Sequence, residues 1–330
     1  MGIATMCDEM SFEIVDFVGL YASFPFGDNP QHWVKLAQMF ISLEDELDFR
    51  TAQVIYRKSY RQRTMNLEGS GPRKILEQFA VGELRSLYLE TGRPEQHWVE
   101  RSRASVSIEM GAAYFDKPPP GPVHKRFGLA GTLCIIYPYD RFQVGEPSSF
   151  QQTLVDTARK SFCELEPSYI FINAGKRTVM PGIVGSDQMF LSTRDSTPFS
   201  SFDYDIRCLT VGFYKEFIRG GFWANFLNPT HVARLGGREH ILKSHPCSIV
   251  EDLGGDRLLL QVGPSPLVTS TQQSAKDYQK LRKFLRPILL ETGEDMQKLQ
   301  YGILGASEYE RILREAPKSE TLRKIRRRRF

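Results

Sequence analysis

Cysteine is scarce in this chain, and the cysteines it has are not arranged for a redox or metal-binding role. The 330 residues include five cysteines, an odd number, and no two of them form a Cys-x-x-Cys pair. This spacing argues against a disulfide framework and against a zinc knuckle. We predict buried thiols in a reducing compartment at Cys7, Cys134, Cys163, Cys208 and Cys247.

Long hydrophobic runs are absent too. The longest, such as residues 131–137, have the length of a strand and fall far short of the ~20 residues that span a bilayer. Residues 1–11 contain no basic stretch followed by an apolar one, and Met6 stands where a myristoylation signal requires Ser or Thr. We therefore expect a cytoplasmic protein with no membrane segment or lipid anchor.

Catalytic signatures are missing as well. The chain has no Gly-x-x-x-x-Gly-Lys-Ser/Thr loop, no Gly-x-Gly-x-x-Gly, no His-Glu-x-x-His and no Gly-x-Ser-x-Gly. Among its six histidines, His240 and His245 are five residues apart, which does not place both on one helical face as a metal pair requires. We predict no catalytic residue, no metal and no cofactor, and hence a protein that is not an enzyme.

Positive charge is concentrated at one end of the chain. The formal net charge is +4, but residues 301–330 alone carry nine Lys or Arg against four acids, so the remaining chain is close to neutral. A basic tail can bind nucleic acid by neutralising phosphates, although terminal charge runs are usually solvated. An alternative prediction is therefore a nucleic-acid-binding protein that uses the tail residues Arg323, Lys324, Arg326, Arg327, Arg328 and Arg329.

Apolar periodicity predicts strands and helices that do not alternate regularly. Strands are expected at residues 12–21, 50–60, 103–115, 127–137, 169–173, around Trp223 and at 258–262. Helices are expected at residues 29–46, 70–92, 147–165, 229–235, 277–285 and from 294 onward. This pattern favours an α+β fold, an antiparallel or mixed β-sheet with helices packed on one face. We predict a single large domain over residues 1–292, followed by a helical, basic C-terminal extension over 293–330.

Residues 175–205 break the periodic pattern and are rich in Gly, Ser, Thr, Asp and Pro. Long loops inside compact domains are usually functional or disordered. The segment holds four acids that could converge on one site, as in a metal-dependent nuclease, or could belong to a flexible surface loop. These acids are Asp187, Asp195, Asp203 and Asp205.

Residues 220–287 carry the most distinctive motif, with the spacing Trp-x-Asn, Leu-Gly-Gly and Gln-x-Gly-x-x-Pro. Its members are packing and turn residues: a tryptophan at an apolar site, paired glycines that end a helix, and a turn after a buried strand. The positions are Trp223, Asn225, Leu235, Gly236, Gly237, Gln261, Gly263 and Pro266. This stretch resembles the C-terminal half of the type VI secretion immunity proteins, a bacterial family. It departs from that family at residues 268–270, where a Gly-Asp is usual, and in the basic extension beyond Thr292.

The resemblance implies a non-catalytic protein that binds and neutralises a cognate secreted toxin, a nuclease, by blocking its active-site cleft. Such a cleft is built for phosphate, so a protruding acidic loop can imitate its substrate and steer the encounter. We therefore predict toxin contacts at Asp187, Asp195, Asp203 and Asp205, in an interface of on the order of 1,600 Å². A third possibility, a hydrolase, needs an acid–base pair that the sequence does not display.

Overall fold

A ten-stranded antiparallel sheet forms the centre of the protein. The computed structural model describes residues 13–25, 30–43, 49–56, 61–67, 71–90, 105–109, 130–138, 142, 148–179, 212–218, 220–266 and 272–289. The strands are β1 (Glu13–Pro25), β2 (Thr51–Tyr56), β3 (Gln62–Asn66), β4 (Leu84–Glu90), β5 (Ser105–Glu109), β6 (Ala130–Pro138), β7 (Tyr169–Val179), β8 (Ala224–Leu227), β9 (Ile249–Gly254) and β10 (Arg257–Gln261). Their order across the sheet is β3-β2-β4-β5-β6-β1-β7-β8-β10-β9, with every neighbouring pair antiparallel.

In the described ranges, six helices and two short 3₁₀ turns accompany the sheet. The helices are α1 (Pro30–Ile41), α2 (Gly71–Ala80), α3 (Ser149–Leu165), α4 (Pro229–Arg234), α5 (Arg238–Ser244) and α6 (Gln272–Leu285), and the 3₁₀ turns are Gly212–Lys215 and Arg286–Ile288. The predicted α+β class with an antiparallel sheet is confirmed. None of the helices in the described ranges is long and apolar enough to cross a membrane.

Strand β1 lies in the interior of the sheet and holds its two halves together. Leu20 is paired with Ile135 of β6 on one side and with Ile172 of β7 on the other, and all three side chains are fully buried. On the same strand, Tyr21 stacks against Phe171, with ring centroids 4.6 Å apart. The aromatic and β-branched residues of this segment therefore form the core that the sequence predicts for them.

The helices lie on both faces of the sheet, so the prediction of helices on one face is wrong. Helix α3 packs on the face that carries Glu251 of β9, whose Oε2 lies 2.7 Å from Nη2 of Arg159. Helix α5 packs on the opposite face, where Arg238 pairs with Asp252, the next residue of β9. Successive side chains of a strand point to opposite faces, which separates these two contacts. Burial on both faces also explains why β8 and the last four residues of β10 are buried continuously, without the alternation of a half-exposed strand.

Helix α1 is seated on the sheet through Trp33, which is buried. The Trp33 indole fills the space above Gly131 of β6, since a Cβ atom on that glycine would lie 1.5 Å from the ring carbon Cη2. The Phe24 ring flanks the same indole at a centroid distance of 4.9 Å. A glycine in a central strand thus marks a close approach by another residue.

The predicted helix over residues 70–92 is wrong in its second half. Helix α2 ends at Ala80, and β4 begins at Leu84 after a turn in which Gly82 has φ 76°. Leu84, Leu87 and Leu89 are all fully buried, so β4 lacks the alternation that distinguishes a strand from a helix. Strands β3 and β9 and helix α5 were not predicted, and the helix expected from residue 294 lies outside the described residues.

No disulfide joins the three cysteines in the described ranges. Cys134 and Cys247 are buried and Cys163 is half-buried, as predicted for packing residues. Burial raises the pKa of the Cys247 thiol to about 12, so it remains protonated. Cys7 and Cys208 lie outside the described residues.

Candidate partner-binding surface

Both sets of residues predicted to bind a partner lie outside the described residues. The first set is the proposed toxin contacts, Asp187, Asp195, Asp203 and Asp205. The second is the basic tail, Arg323, Lys324, Arg326, Arg327, Arg328 and Arg329. The first part of the segment predicted as a loop is strand, because β7 continues to Val179. All eight motif residues between Trp223 and Pro266 are described. Some of them are buried and hydrogen-bonded in the core, and others lie beside a groove on the surface.

Trp223 lies in the core and joins two segments of the chain. Its side chain is fully buried, and the indole Nε1 donates to the carbonyl oxygen of Gly263, 3.2 Å away. Its backbone N–H donates to Oδ1 of Asn173 on β7, also at 3.2 Å. Gln261 donates to the same Gly263 carbonyl at 2.9 Å, so two motif side chains fix the turn that leads to the buried Pro266.

Asn225 is a fully buried polar residue whose amide is well satisfied. Its Oδ1 accepts a hydrogen bond from the Tyr169 hydroxyl at 2.7 Å and from the Phe222 N–H at 3.3 Å, and its Nδ2 donates to the Phe222 carbonyl at 2.8 Å. Burial raises the pKa of Tyr169, so the phenol stays neutral and able to donate. Buried polar groups need such partners, which accounts for an asparagine inside an apolar strand.

A capping box that is not among the features predicted from the sequence begins α4. The Asn228 side chain accepts from the N–H of His231 at 2.9 Å, and His231 Nδ1 accepts from the N–H of Asn228 at 3.4 Å. The Asn228 amide also donates to the carbonyl of Ser168 at 2.7 Å, which ties α4 to the start of β7. The signal was present in the sequence Asn-Pro-Thr-His, with a cap residue followed by proline at the first helical position.

Leu235, Gly236 and Gly237 form the joint between α4 and α5. Gly236 has φ 95° and Gly237 has φ 91°, both in the region that favours glycine. A Cβ on Gly236 would lie 3.0 Å from the His240 ring, whereas the space around Gly237 is open. The paired glycines therefore turn the chain sharply, as a left-handed cap predicts, and start a second helix immediately afterwards.

Beside this joint, α5 and α6 enclose an open groove with a volume of about 570 Å³. The apolar part of its lining is Leu235, Pro246, Phe284 and Pro287, and the polar part is His240, Ser244, Lys280, Lys283 and Arg286. The His240 ring stacks on Phe284 with centroids 6.1 Å apart, which links the two helices. Among the described residues that line it, the groove thus combines an apolar floor with cationic side chains and includes no acid.

A smaller cavity of about 140 Å³ lies on the other face of the sheet, against α3. Trp223 and Gln261 contribute to its lining, together with the ion pair of Arg159 and Glu251. A second contact of Arg159, with Asp156, further engages the guanidinium. The ion pair that lines this cavity helps to fix α3 to the sheet.

Across the described ranges, no three His, Cys, Asp or Glu side chains come close enough to hold a metal ion. His240, which the spacing argument separated from His245, is exposed and packs against Phe284. The motif residues therefore serve as hydrogen-bond partners, helix ends and walls of a groove. This arrangement is suited to presenting a surface.

The fold defines an α+β protein with an antiparallel sheet, and the comparisons with known proteins refine that description. Residues 208–304 match the family described as TsiV, type VI immunity for VRR-NUC. The resemblance to type VI secretion immunity proteins is thereby confirmed for this segment. The match includes β8 to β10 and α4 to α6, and hence both the motif and the groove.

A solved structure has a similar fold over most of the chain. It is the Pseudomonas aeruginosa T6SS protein PA0821, which aligns with 92% of this chain and 87% of its own length at a TM-score of 0.57 and 12% sequence identity. At this identity, the likeness shows the fold alone. No curated protein sequence gives a significant match.

Proposed function

We propose that this protein is a non-catalytic immunity protein that binds and neutralises a cognate type VI effector. The observation that carries the proposal is the match of residues 208–304 to a type VI immunity family. The matched segment forms one end of the sheet, with hydrogen-bonded side chains inside and a preformed groove outside. An inhibitor of this kind needs a rigid surface and no reacting groups.

We further propose that the effector is a nuclease and that inhibition works by blocking its active-site cleft in the cytoplasm, where nucleic acid is the target. The family description names VRR-NUC as what its members give immunity to. A cleft that binds phosphate is electropositive, so acids on the inhibitor would accelerate encounter and fix the register. The proposed contact acids remain Asp187, Asp195, Asp203 and Asp205.

The test is protection from the protein encoded by the adjacent reading frame. Co-expression of this chain should restore growth of cells that produce that protein, and the two purified proteins should form a complex. Replacing Asp187, Asp195, Asp203 and Asp205 together by Ala should weaken binding by more than about 1 kcal/mol per anchor residue. A matched control replaces four exposed acids elsewhere by Ala: Glu77, Glu83, Glu164 and Glu239.

Two results would count against these proposals. Full protection by the variant lacking the four aspartates would remove them as contact residues. Salt-dependent binding of generic duplex DNA, lost when the six tail cations are replaced by Gln in the full chain and accompanied by no protection, would favour the nucleic-acid-binding alternative.

A further inference from the structure

The groove between α5 and α6 has a chemistry of its own, opposite in sign to the acidic residues proposed above. We infer that it binds a segment of the effector that carries carboxylates next to large apolar side chains. This inference rests on the proposed function, because it assigns a second contact to the same partner. It concerns residues inside the matched segment.

Charge complementarity indicates an acidic occupant. Lys280 and Lys283 lie one turn apart on α6, and Arg286 follows one turn later, so all three line the same side of the groove. The Lys280 ammonium is held at the rim by the carbonyl oxygen of His245. Carboxylates from a partner would pair with the Lys280 and Lys283 ammonium groups at this mouth and so orient the partner.

The apolar floor indicates a protein segment and argues against nucleic acid. Leu235 is buried at the base of the groove, and Phe284 is half-exposed along it. A phosphate backbone would contact the cations but leave this floor exposed to water. Leu or Phe side chains would bury the floor, and each Å² of apolar surface removed from water would stabilise the complex by roughly 25 cal/mol. The volume of about 570 Å³ accommodates several side chains of a single helix or loop.

The groove is also preformed. Gly236 has no side chain that would fill the space next to His240, and the stacked rings of His240 and Phe284 hold α5 against α6. A rigid site avoids the cost of ordering side chains on binding. The aspartates of this chain would contact one part of the effector, and the groove would contact another part of opposite charge. Two contacts of opposite sign would allow a single orientation of the complex.

The experiment measures affinity between the full chain and a catalytically inactivated form of the effector from the adjacent reading frame. The double charge reversal Lys283→Glu with Arg286→Glu should weaken the complex at least tenfold. Ser244→Trp, which fills the groove from its exposed rim without changing charge, should weaken it to a similar extent. The matched control is Arg73→Glu with Lys74→Glu on α2, which reverses two exposed cations far from the groove and should change affinity less than threefold.

The outcomes separate the two ideas. If the wild-type chain forms no complex, the proposed function and this inference fall together. If the wild type binds and both groove variants bind equally well, the groove inference alone is overturned. The groove inference is also overturned if the charge reversal abolishes binding to a 30-base-pair DNA duplex and leaves effector binding unchanged. A third contrary outcome is a charge reversal that lowers the melting temperature of the free chain and leaves effector binding unchanged, which would indicate a segment of the same chain as the occupant.

Discussion

At the level of single residues, the imidazole of His231 illustrates the demands of a buried polar group. It lies fully buried between the start of α4 and the ring of Tyr169, with centroids 5.7 Å apart. Burial lowers its pKa to about 3, with Arg234 contributing in the same direction and the carbonyls of Tyr214 and Phe217 opposing it. The ring is therefore neutral at ordinary pH, which leaves Nδ1 free to accept the N–H of Asn228.

A pH-dependent stability follows from that shift. In the unfolded chain this histidine titrates near 6.5, so below that pH the unfolded state binds a proton that the folded state excludes. The stabilisation is complete above pH 6.5 and is lost as the pH falls towards about 3. We expect the free energy of unfolding to drop by about 2 kcal/mol between pH 7 and pH 5 from this residue alone.

Urea unfolding at several pH values measures this effect. His231→Gln is the matched variant, because glutamine at the same helical position can accept the N–H of Asn228 but does not titrate. Its unfolding free energy should change less than that of the wild type over the same interval. Parallel pH profiles for the two proteins would show that His231 is not the titrating group.

At the level of secondary structure, the joint between α4 and α5 depends on two glycines for different reasons. Gly237, with φ 91° and ψ 164°, is in a region that residues with a Cβ rarely adopt, but nothing lies near the place of its missing side chain. Gly236 combines a positive φ with close contact to His240. One position tests backbone strain alone, and the other tests strain together with packing.

Alanine at either glycine should destabilise the fold. We expect about 1–3 kcal/mol for Gly237→Ala from strain and at least as much for Gly236→Ala. Gly71→Ala at the start of α2, where φ is not positive, should change stability by less than about 1 kcal/mol. Differential scanning calorimetry compares the three, and a Gly237→Ala variant as stable as the Gly71→Ala variant would contradict the strain argument.

The sequence was most informative where an element is long and has one buried face. Helix α3, with Leu154, Ala158 and Phe162 at helical spacing, was predicted close to its observed bounds. Strand β4 was mistaken for helix because both of its faces are buried, which removes the periodicity that distinguishes the two. Strand β3, mostly exposed, has no apolar pattern to detect.

The surface was predicted less completely than the fold for a related reason. Leu235 and Gly236 were identified as motif residues because helix ends have local signatures. The groove that Leu235 lines also requires Lys283 and Phe284, about fifty residues further along the chain, which only the packing of α6 against α5 brings alongside. No local pattern encodes that proximity.

At the level of the whole molecule, the matched segment is continuous with the remainder of the sheet. Strand β8 pairs with β7, with Phe226 opposite Ile170 and Ala224 opposite Ile172. All four side chains are fully buried. The Phe162 ring of α3 covers Phe226 at a centroid distance of 5.7 Å. The segment that carries the family resemblance thus shares its core with residues that precede it.

Residues 208–304 expressed alone should therefore not fold. Without β7 and α3, the edge of β8 and the side chain of Phe226 would be exposed, and the amide of Asn228 would lose the Ser168 carbonyl. We expect little dispersion in the proton NMR spectrum of the fragment and no cooperative thermal transition, in contrast to the full chain. A well-dispersed spectrum and a cooperative melt would show that the segment is an independent domain.

The seating of α1 on the sheet has a consequence for how this fold can vary among related proteins. The Trp33 ring occupies space that exists only because residue 131 is glycine, so neither position can change freely while the other stays the same. A relative with alanine or a larger residue at position 131 must carry a smaller side chain at position 33, or shift its first helix away from the strands. Substitutions at these two sites, about a hundred residues apart in the chain, are therefore expected to occur as a correlated pair.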